Sequence, residues 1–298
     1  MSDEQYLKDV LAAQCLADDS DEMKALREAR DRMQALLEAE FSGCNFTIRY
    51  GGSKAKRTLI REMYDLDIVF YVHSGENGVG DTLKDIFTTV AKALRKDYVV
   101  EEKTSALRLK AKEILGPDLH IDVVPGRYTD DTKTDCYLYQ NGSDKERLKT
   151  NLQTHIAHIR DSGVVDAICL LKLLRVRRNL PIKQFVWELL AVELLADQKK
   201  ASLPDQLDHV LKSIADAEAA IKVEDPANPS GNDLMPILES AWSVLKSTAK
   251  DVRATVDASG WEAVYGEVAS KSARVGRLTA AVQSARTPVQ PWDFVWKN

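Results

Sequence analysis

The chain has 298 residues, enough for one large domain or two closely packed ones. Hydrophobic residues make up 44% and charged residues 29%, the ordinary balance of a soluble globular protein. The net charge of -5 and the pI near 5.7 argue against a protein whose main task is gripping long duplex nucleic acid, while leaving room for a local basic pocket. Cys15, Cys44, Cys136 and Cys169 are widely spaced, with no C-x-x-C pair, so neither a zinc site nor a disulfide framework is expected. The N-terminus has no apolar signal-like segment, and no run reaches the roughly 18 apolar residues that span a bilayer. The expectation is a soluble, cytoplasmic protein with no membrane partner.

In chain order, Leu7, Val10, Leu11 and Leu16 lie near helical spacing, and Asp18-Asp-Ser-Asp21 interrupts them. A second helix is predicted from about Asp21, with Met23, Leu26, Met33, Leu36 and Leu37 as its apolar stripe. Phe46 to Tyr50 reads as a short strand stopped by Gly51-Gly52, and Ser53 to Arg61 as a short helix entered from that turn. Asp65 to Val72 is a strand, rich in β-branched and aromatic residues. After a loop over Gly75 to Gly80, Leu83, Ile86, Phe87, Val90 and Leu94 mark an amphipathic helix. Strands are predicted near Tyr98 to Lys103, Ala106 to Lys112 and Leu119 to Val124, the last closed by Pro125-Gly126.

Beyond about residue 144 the pattern is almost entirely helical. Helices are predicted over Val164 to Arg178, Gln184 to Ala196, Pro204 to Lys222, Asp233 to Asp257 and Trp261 to Ser284. The turn-rich stretch Asp225 to Asn232 separates two of them. The plan is α+β: a catalytic core over 1–143 including the N-terminal helices, then a helical domain over 144–298, with the ligand site in the cleft between.

Asp65 and Asp67 are two apart on a predicted strand, so both side chains share a face. Adjacent carboxylates repel, a cation between them removes that cost, and hard oxygens suit Mg²⁺ or Mn²⁺. An isolated Asp-x-Asp is more often a solvated pair. Upstream, however, Gly51-Gly-Ser53 follows a strand, and glycine lets backbone approach a phosphate closely. From Arg49 to Arg61 every charged residue is positive. The spacing is not that of a P-loop. Asp122 lies on a mostly apolar strand, where a carboxylate needs a partner or a cleft. Three carboxylates together would suit a two-metal site for in-line displacement.

Gly51-Gly-Ser53, Thr58, Asp65-Leu-Asp67 and His120-Ile-Asp-Val-Val-Pro125 resemble the polymerase-β-like nucleotidyltransferase superfamily. Within it the chain is most similar to the cGAS/DncV-like nucleotidyltransferases (CD-NTases), relatives of oligoadenylate synthase. Cys169 to Asn179, containing Lys172, and the following Phe185 to Leu190 helix resemble that family's spine helix and its successor. Glu224-Asp-Pro-Ala-Asn-Pro229 with Asn232 resembles a family loop, so the likeness covers roughly residues 45 to 235.

The resemblance implies that Gly52 and Ser53 hold the β- and γ-phosphates. It implies that Asp65, Asp67 and Asp122 ligate two Mg²⁺ or Mn²⁺ ions, with Asp122 nearest the attacking hydroxyl. Lys172 would reach the triphosphate from the helical half; its plain alternative is a lysine snorkelling from a buried helix. The family tryptophan two positions further on is Leu174 here. His120 shares a strand face with Asp122 and reads as structural. Arg175, Arg177 and Arg178 either touch phosphate or form a solvated helix end. Trp187 and Trp242 read as helix packing, and Trp292, Phe294 and Trp296 as residues docking on the core.

The implied activity joins nucleoside triphosphates into a short cyclic or linear oligonucleotide second messenger, as in bacterial antiphage (CBASS) signalling. The rivals are an RNA-tailing enzyme, a non-catalytic nucleotide-binding module on the same fold, and a sugar-nucleotide or antibiotic-modifying transferase. The acidic balance and the lack of an appended RNA module weigh against the first, and no stable nucleic-acid partner is expected. A regulatory partner protein stays open, and a monomer is the simplest expectation.

Overall fold

The computed structural model describes residues 1–16, 19–111 and 121–268. The chain begins with α1 (Asp3–Gln14) and α2 (Asp21–Glu40), each started by a serine cap: Ser2 accepts from Gln5 N and Ser20 from Met23 N. β1 (Phe46–Tyr50), α3 (Gly52–Lys56), β2 (Leu66–Val72) and α4 (Leu83–Leu94) follow. Next come β3 (Tyr98–Glu102), β4 (Leu107–Ala111), β5 (Ile121–Tyr128), β6 (Cys136–Tyr139) and β7 (Arg147–Thr150). The remainder is α5 (Leu152–Arg160), α6 (Val165–Arg177), α7 (Gln184–Leu194), α8 (Leu203–Asp216) and α9 (Met235–Tyr265). The fold is α+β.

Among the described residues one sheet runs in the order β1-β2-β5-β4-β3, with β6 added to β5 and β7 to β6. β2 and β5 are parallel and the other pairs antiparallel. The period-two alternation of β2 divides its residues cleanly. Leu66, Ile68, Phe70 and Val72 join Ile121 and Val123 of β5 in a core shared with α2 and α4. Asp67, Val69 and Tyr71 therefore face the other side, as do Asp122 and Val124.

A second core is helical, built on Leu170, Leu171, Leu173 and Leu174 of α6 with α7, α8 and α9 around them. Trp187 and Trp242 lie in it, and the Trp187 indole donates to the Leu171 carbonyl at 2.9 Å. Tyr6, Leu7 and Val10 of α1 also belong to this core, rather than to the sheet with which the 1–143 division groups them. The Tyr6 hydroxyl donates to the Gly266 carbonyl at 2.6 Å. Gly260 has φ 73 and breaks α9, close to the predicted gap between Asp257 and Trp261.

Several predicted boundaries are corrected. The sheet continues past residue 144, because β7 pairs with β6. Both strands are four residues long, and Arg147 and Lys149 make β7 polar, as suits a sheet edge. β5 is not closed by Pro125-Gly126. It exchanges β4 for β6 there, and Val124 and Pro125 have no antiparallel partner, so a residue without N–H interrupts no rung on that side. α3 ends at Lys56 because Arg57 is left-handed (φ 63). α8 ends at Asp216, and Lys246 donates to the Ala217 carbonyl at 2.6 Å beyond it. His120, Trp292, Phe294, Trp296 and the helix predicted to run to Ser284 lie wholly or largely outside the described residues.

Candidate active site

Asp67 and Asp122 are direct register partners on the parallel strands β2 and β5. Asp65 stands one residue before β2 begins, at the strand's entrance rather than within it. All three line one cleft of about 660 Å³, a size suited to a small-molecule ligand. Burial, and then the neighbouring Asp122 carboxylate, push the Asp67 pKa up from 3.8 to about 6.

Asp122 is engaged elsewhere. Arg108, its cross-strand partner on β4, donates from Nε to Oδ1 at 2.9 Å and from Nη2 to Oδ2 at 2.8 Å. This fork occupies both carboxylate oxygens. Among the described residues, no three His, Cys, Asp or Glu side chains already stand close enough together to hold a metal ion.

The glycine turn lies directly against Asp67. The Gly51 N–H donates to the Asp67 carbonyl at 2.9 Å, tying the turn to β2. Gly52 has φ +51, and a Cβ placed on it would fall 1.6 Å from Asp67 Oδ2. Only glycine fits that backbone and that approach. Ser53, next along, meets Lys172 from the helical half: Lys172 Nζ donates to Ser53 Oγ at 2.6 Å and to the Thr58 carbonyl at 3.1 Å. Lys172 is 1% exposed, and burial pulls its pKa below the usual lysine range.

Sequence reasoning missed the group behind this contact. Glu188 of α7 is fully buried, and Lys56 and Thr58 both bond to its carboxylate. A lone acid in the apolar run Phe185 to Ala191 was the available signal. Arg108 was missed too, because a cross-strand partner is visible only once register is known.

On the helical side, His155 Nε2 lies 2.6 Å from Asp225 Oδ1, and its ring tilts against Phe185 at 4.6 Å between centroids. Asn232 and the Ala227 N–H also donate to Asp225, at 2.7 and 2.8 Å. Burial raises the Asp225 pKa, but these bonds outweigh it and leave the group below its ordinary value. The loop from Asp225 to Asn232 thus folds around one buried carboxylate at the cleft wall. Arg175 and Arg177 do not face the cleft. Arg175 donates to the Ile182 carbonyl and Arg177 to Glu62. Arg178 is exposed, and Leu174 is 2% exposed within the helical core, so no ring stacks from that position.

No protein-family model matches the chain, and no curated protein matches it by sequence. Solved structures do match its shape. CdnC of E. coli MS115-1, in a structure with ATP, is 20% identical with a TM-score of 0.67, over 90% of this chain and 98% of that one. The CD-NTase CdnG of Bradyrhizobium diazoefficiens, in complex with GTP, is 12% identical with a TM-score of 0.65, over 95% and 98%. The DncV cyclic AMP-GMP synthase of Vibrio cholerae, a prokaryotic cGAS homolog, is 16% identical with a TM-score of 0.60, over 92% and 83%. The chain has the fold of these CD-NTase structures, a mixed sheet joined to a helical half.

Proposed function

We propose that the chain is a template-independent nucleotidyltransferase that joins ribonucleoside triphosphates into a short cyclic or linear oligonucleotide and releases pyrophosphate. The observation that carries this reading is the pairing of Asp67 with Asp122 on parallel strands, with the Gly52 backbone pressed against Asp67. The likeness to synthases of cyclic dinucleotides supports the product class. A second-messenger role in bacterial antiphage signalling, in the cytoplasm, belongs to the same reading.

Gly52 and Ser53 hold the β- and γ-phosphates of the donor nucleotide, and Lys172 neutralises charge on the departing pyrophosphate. Asp122 orients the attacking ribose hydroxyl. Asp65, Asp67 and Asp122 are the residues that would hold Mg²⁺ or Mn²⁺. Their oxygens are the hard donors such ions take, and the raised pKa of Asp67 marks a carboxylate that gains from a nearby cation. Bound there, such ions would supply charge neutralisation for the displacement. Arg108 already takes one lone pair on each Asp122 oxygen and sets a positive charge beside it, which opposes a cation there.

Arg108 is therefore a competitor for the metal. Arg108→Ala is expected to tighten Mn²⁺ binding by about tenfold, the scale of losing one charge-assisted partner. Electron paramagnetic resonance of free Mn²⁺, with the nucleotide-free protein, reads this directly. Weaker binding would show that Arg108 assists the site instead, and unchanged binding that it does not compete.

The reading itself is tested by incubating the protein with all four ribonucleoside triphosphates and Mg²⁺ or Mn²⁺. Phosphatase-treated products are analysed by mass spectrometry, with Asp65→Ala/Asp67→Ala as control. A phosphatase-resistant di- or trinucleotide absent from the control is expected. Elongation of labelled RNA, with no small product, would favour a tailing enzyme.

A further inference from the structure

Glu188 sits in the middle of α7 with no exposed surface, between Trp187 and Leu189, which pack in the helical core. A buried carboxylate is costly unless it is paired and hydrogen-bonded. Its partners come from the other half of the protein. Lys56 Nζ pairs with Oε2, and Thr58 Oγ1 donates to Oε1 at 2.9 Å. Gln184 Nε2, one turn earlier on α7, adds a longer bond at 3.3 Å.

Lys56 and Thr58 bracket the left-handed Arg57, where α3 stops and the chain turns away. The carbonyl of the same Thr58 accepts from Lys172, and Ser53 at the start of α3 accepts from Lys172 as well. Glu188, Thr58, Lys172 and Ser53 thus form one connected chain of bonds from α7 to the glycine turn. Lys56 takes the ion pair with Glu188, beside this chain. Lys172, whose two bonds go to neutral oxygens, brings its ammonium to the cleft wall, where the Asp67 carboxylate also acts on it.

We propose that Glu188 is a positioning residue for the triphosphate. By pairing with Lys56 and bonding Thr58, it fixes the 52–58 turn so that Ser53 and Thr58 aim the Lys172 ammonium into the cleft. A polyphosphate entering the cleft meets that ammonium. This rests on the proposed nucleotidyltransferase reading.

The bland alternative is that the Lys56–Glu188 pair only cements the two halves. A buried ion pair of that kind is replaceable by apolar residues at little cost in stability. Three variants separate the two: Glu188→Gln, Thr58→Val, and the double variant Lys56→Met/Glu188→Leu. Binding of each of the four ribonucleoside triphosphates, with Ca²⁺ in place of Mg²⁺, is measured by calorimetry, alongside KM and kcat with Mg²⁺.

Glu188→Gln is expected to weaken triphosphate binding and raise KM by about 10- to 100-fold, the scale of one charge-assisted hydrogen bond, with kcat falling as well because Lys172 also faces the departing pyrophosphate. Thr58→Val shifts binding the same way by a smaller factor. The double variant stays folded by circular dichroism and still binds weakly. Wild-type affinity in Glu188→Gln, or its recovery in the double variant, overturns the proposal. Should Glu188→Gln fail to fold, wild-type affinity in Thr58→Val overturns it equally. If the wild-type protein neither binds a triphosphate nor yields product, the nucleotidyltransferase reading fails first and the positioning role with it.

Discussion

Asp67→Asn is expected to abolish nucleotide joining, by at least the roughly 10³-fold that follows loss of a key electrostatic group, while making the metal-free protein more stable at neutral pH. The two effects have one cause. Burial and the Asp122 carboxylate raise the Asp67 pKa from 3.8 to about 6, so the fold prefers the protonated acid. A carboxyl raised in this way costs nothing below pH 4. Its ionisation then drains stability as pH climbs from about 4 to about 6, and above that the cost is fully present. A shift of about two pH units corresponds to about 3 kcal/mol. Asparagine cannot ionise and escapes this cost.

Thermal unfolding with chelator at pH 4, 5, 6 and 8 checks the sign. The variant should gain on the wild type with rising pH and level off near pH 7, ending higher by several degrees. Divalent ions should then narrow the gap, because they stabilise only the protein that can bind them. A variant less stable at pH 8 than at pH 5, relative to wild type, would contradict the raised pKa.

Gly52→Ala is the second change with a large expected effect, and Gly51→Ala is its control. At Gly52 the added methyl would lie 1.6 Å from Asp67 Oδ2 and 2.3 Å from its Cγ, so the carboxylate or the turn must move. The backbone there has φ +51, which adds about 1 kcal/mol or more for alanine. At Gly51 the nearest atoms are 3.5 to 3.8 Å away, ordinary contact distances, and the backbone is extended. Product formation should fall by about 10²-fold or more in Gly52→Ala, the cost of displacing a catalytic group by an ångström or so. Gly51→Ala should stay near wild type. Equal activity in the two variants would mean that the close approach at Gly52 has no part in the chemistry.

Much of this architecture was legible in the chain. The alternation over Leu66 to Val72 fixes which residues face the core, and it places Asp67 with Val69 and Tyr71 on the opposite side. The apolar stripe of α4 and the leucine-rich α6 could be read from spacing alone. What local pattern does not carry is register. Asp67 meets Asp122, and Asp122 meets Arg108, only because β2, β5 and β4 lie side by side in one alignment. β6 and β7 escaped for a different reason: four residues are too few to establish a period, and two of those in β7 are charged. Lys172 was visible as a lysine in an apolar helix. Its contacts with Ser53 and Thr58 depend on how two distant segments dock, as do the bonds of Glu188.

The placement of α1 has a consequence for how the chain is made. Tyr6, Leu7 and Val10 bury themselves against helices from the far end of the sequence, and the Tyr6 hydroxyl closes onto Gly266. During synthesis the first helix emerges long before the surface that covers it. At about 5–20 residues per second its apolar stripe waits on the order of tens of seconds for that surface. The contact of α1 with the helical core therefore forms late and over a very long loop, the kind of contact that slows folding most. In the interval the stripe is open to other chains, which gives misassembly an opportunity.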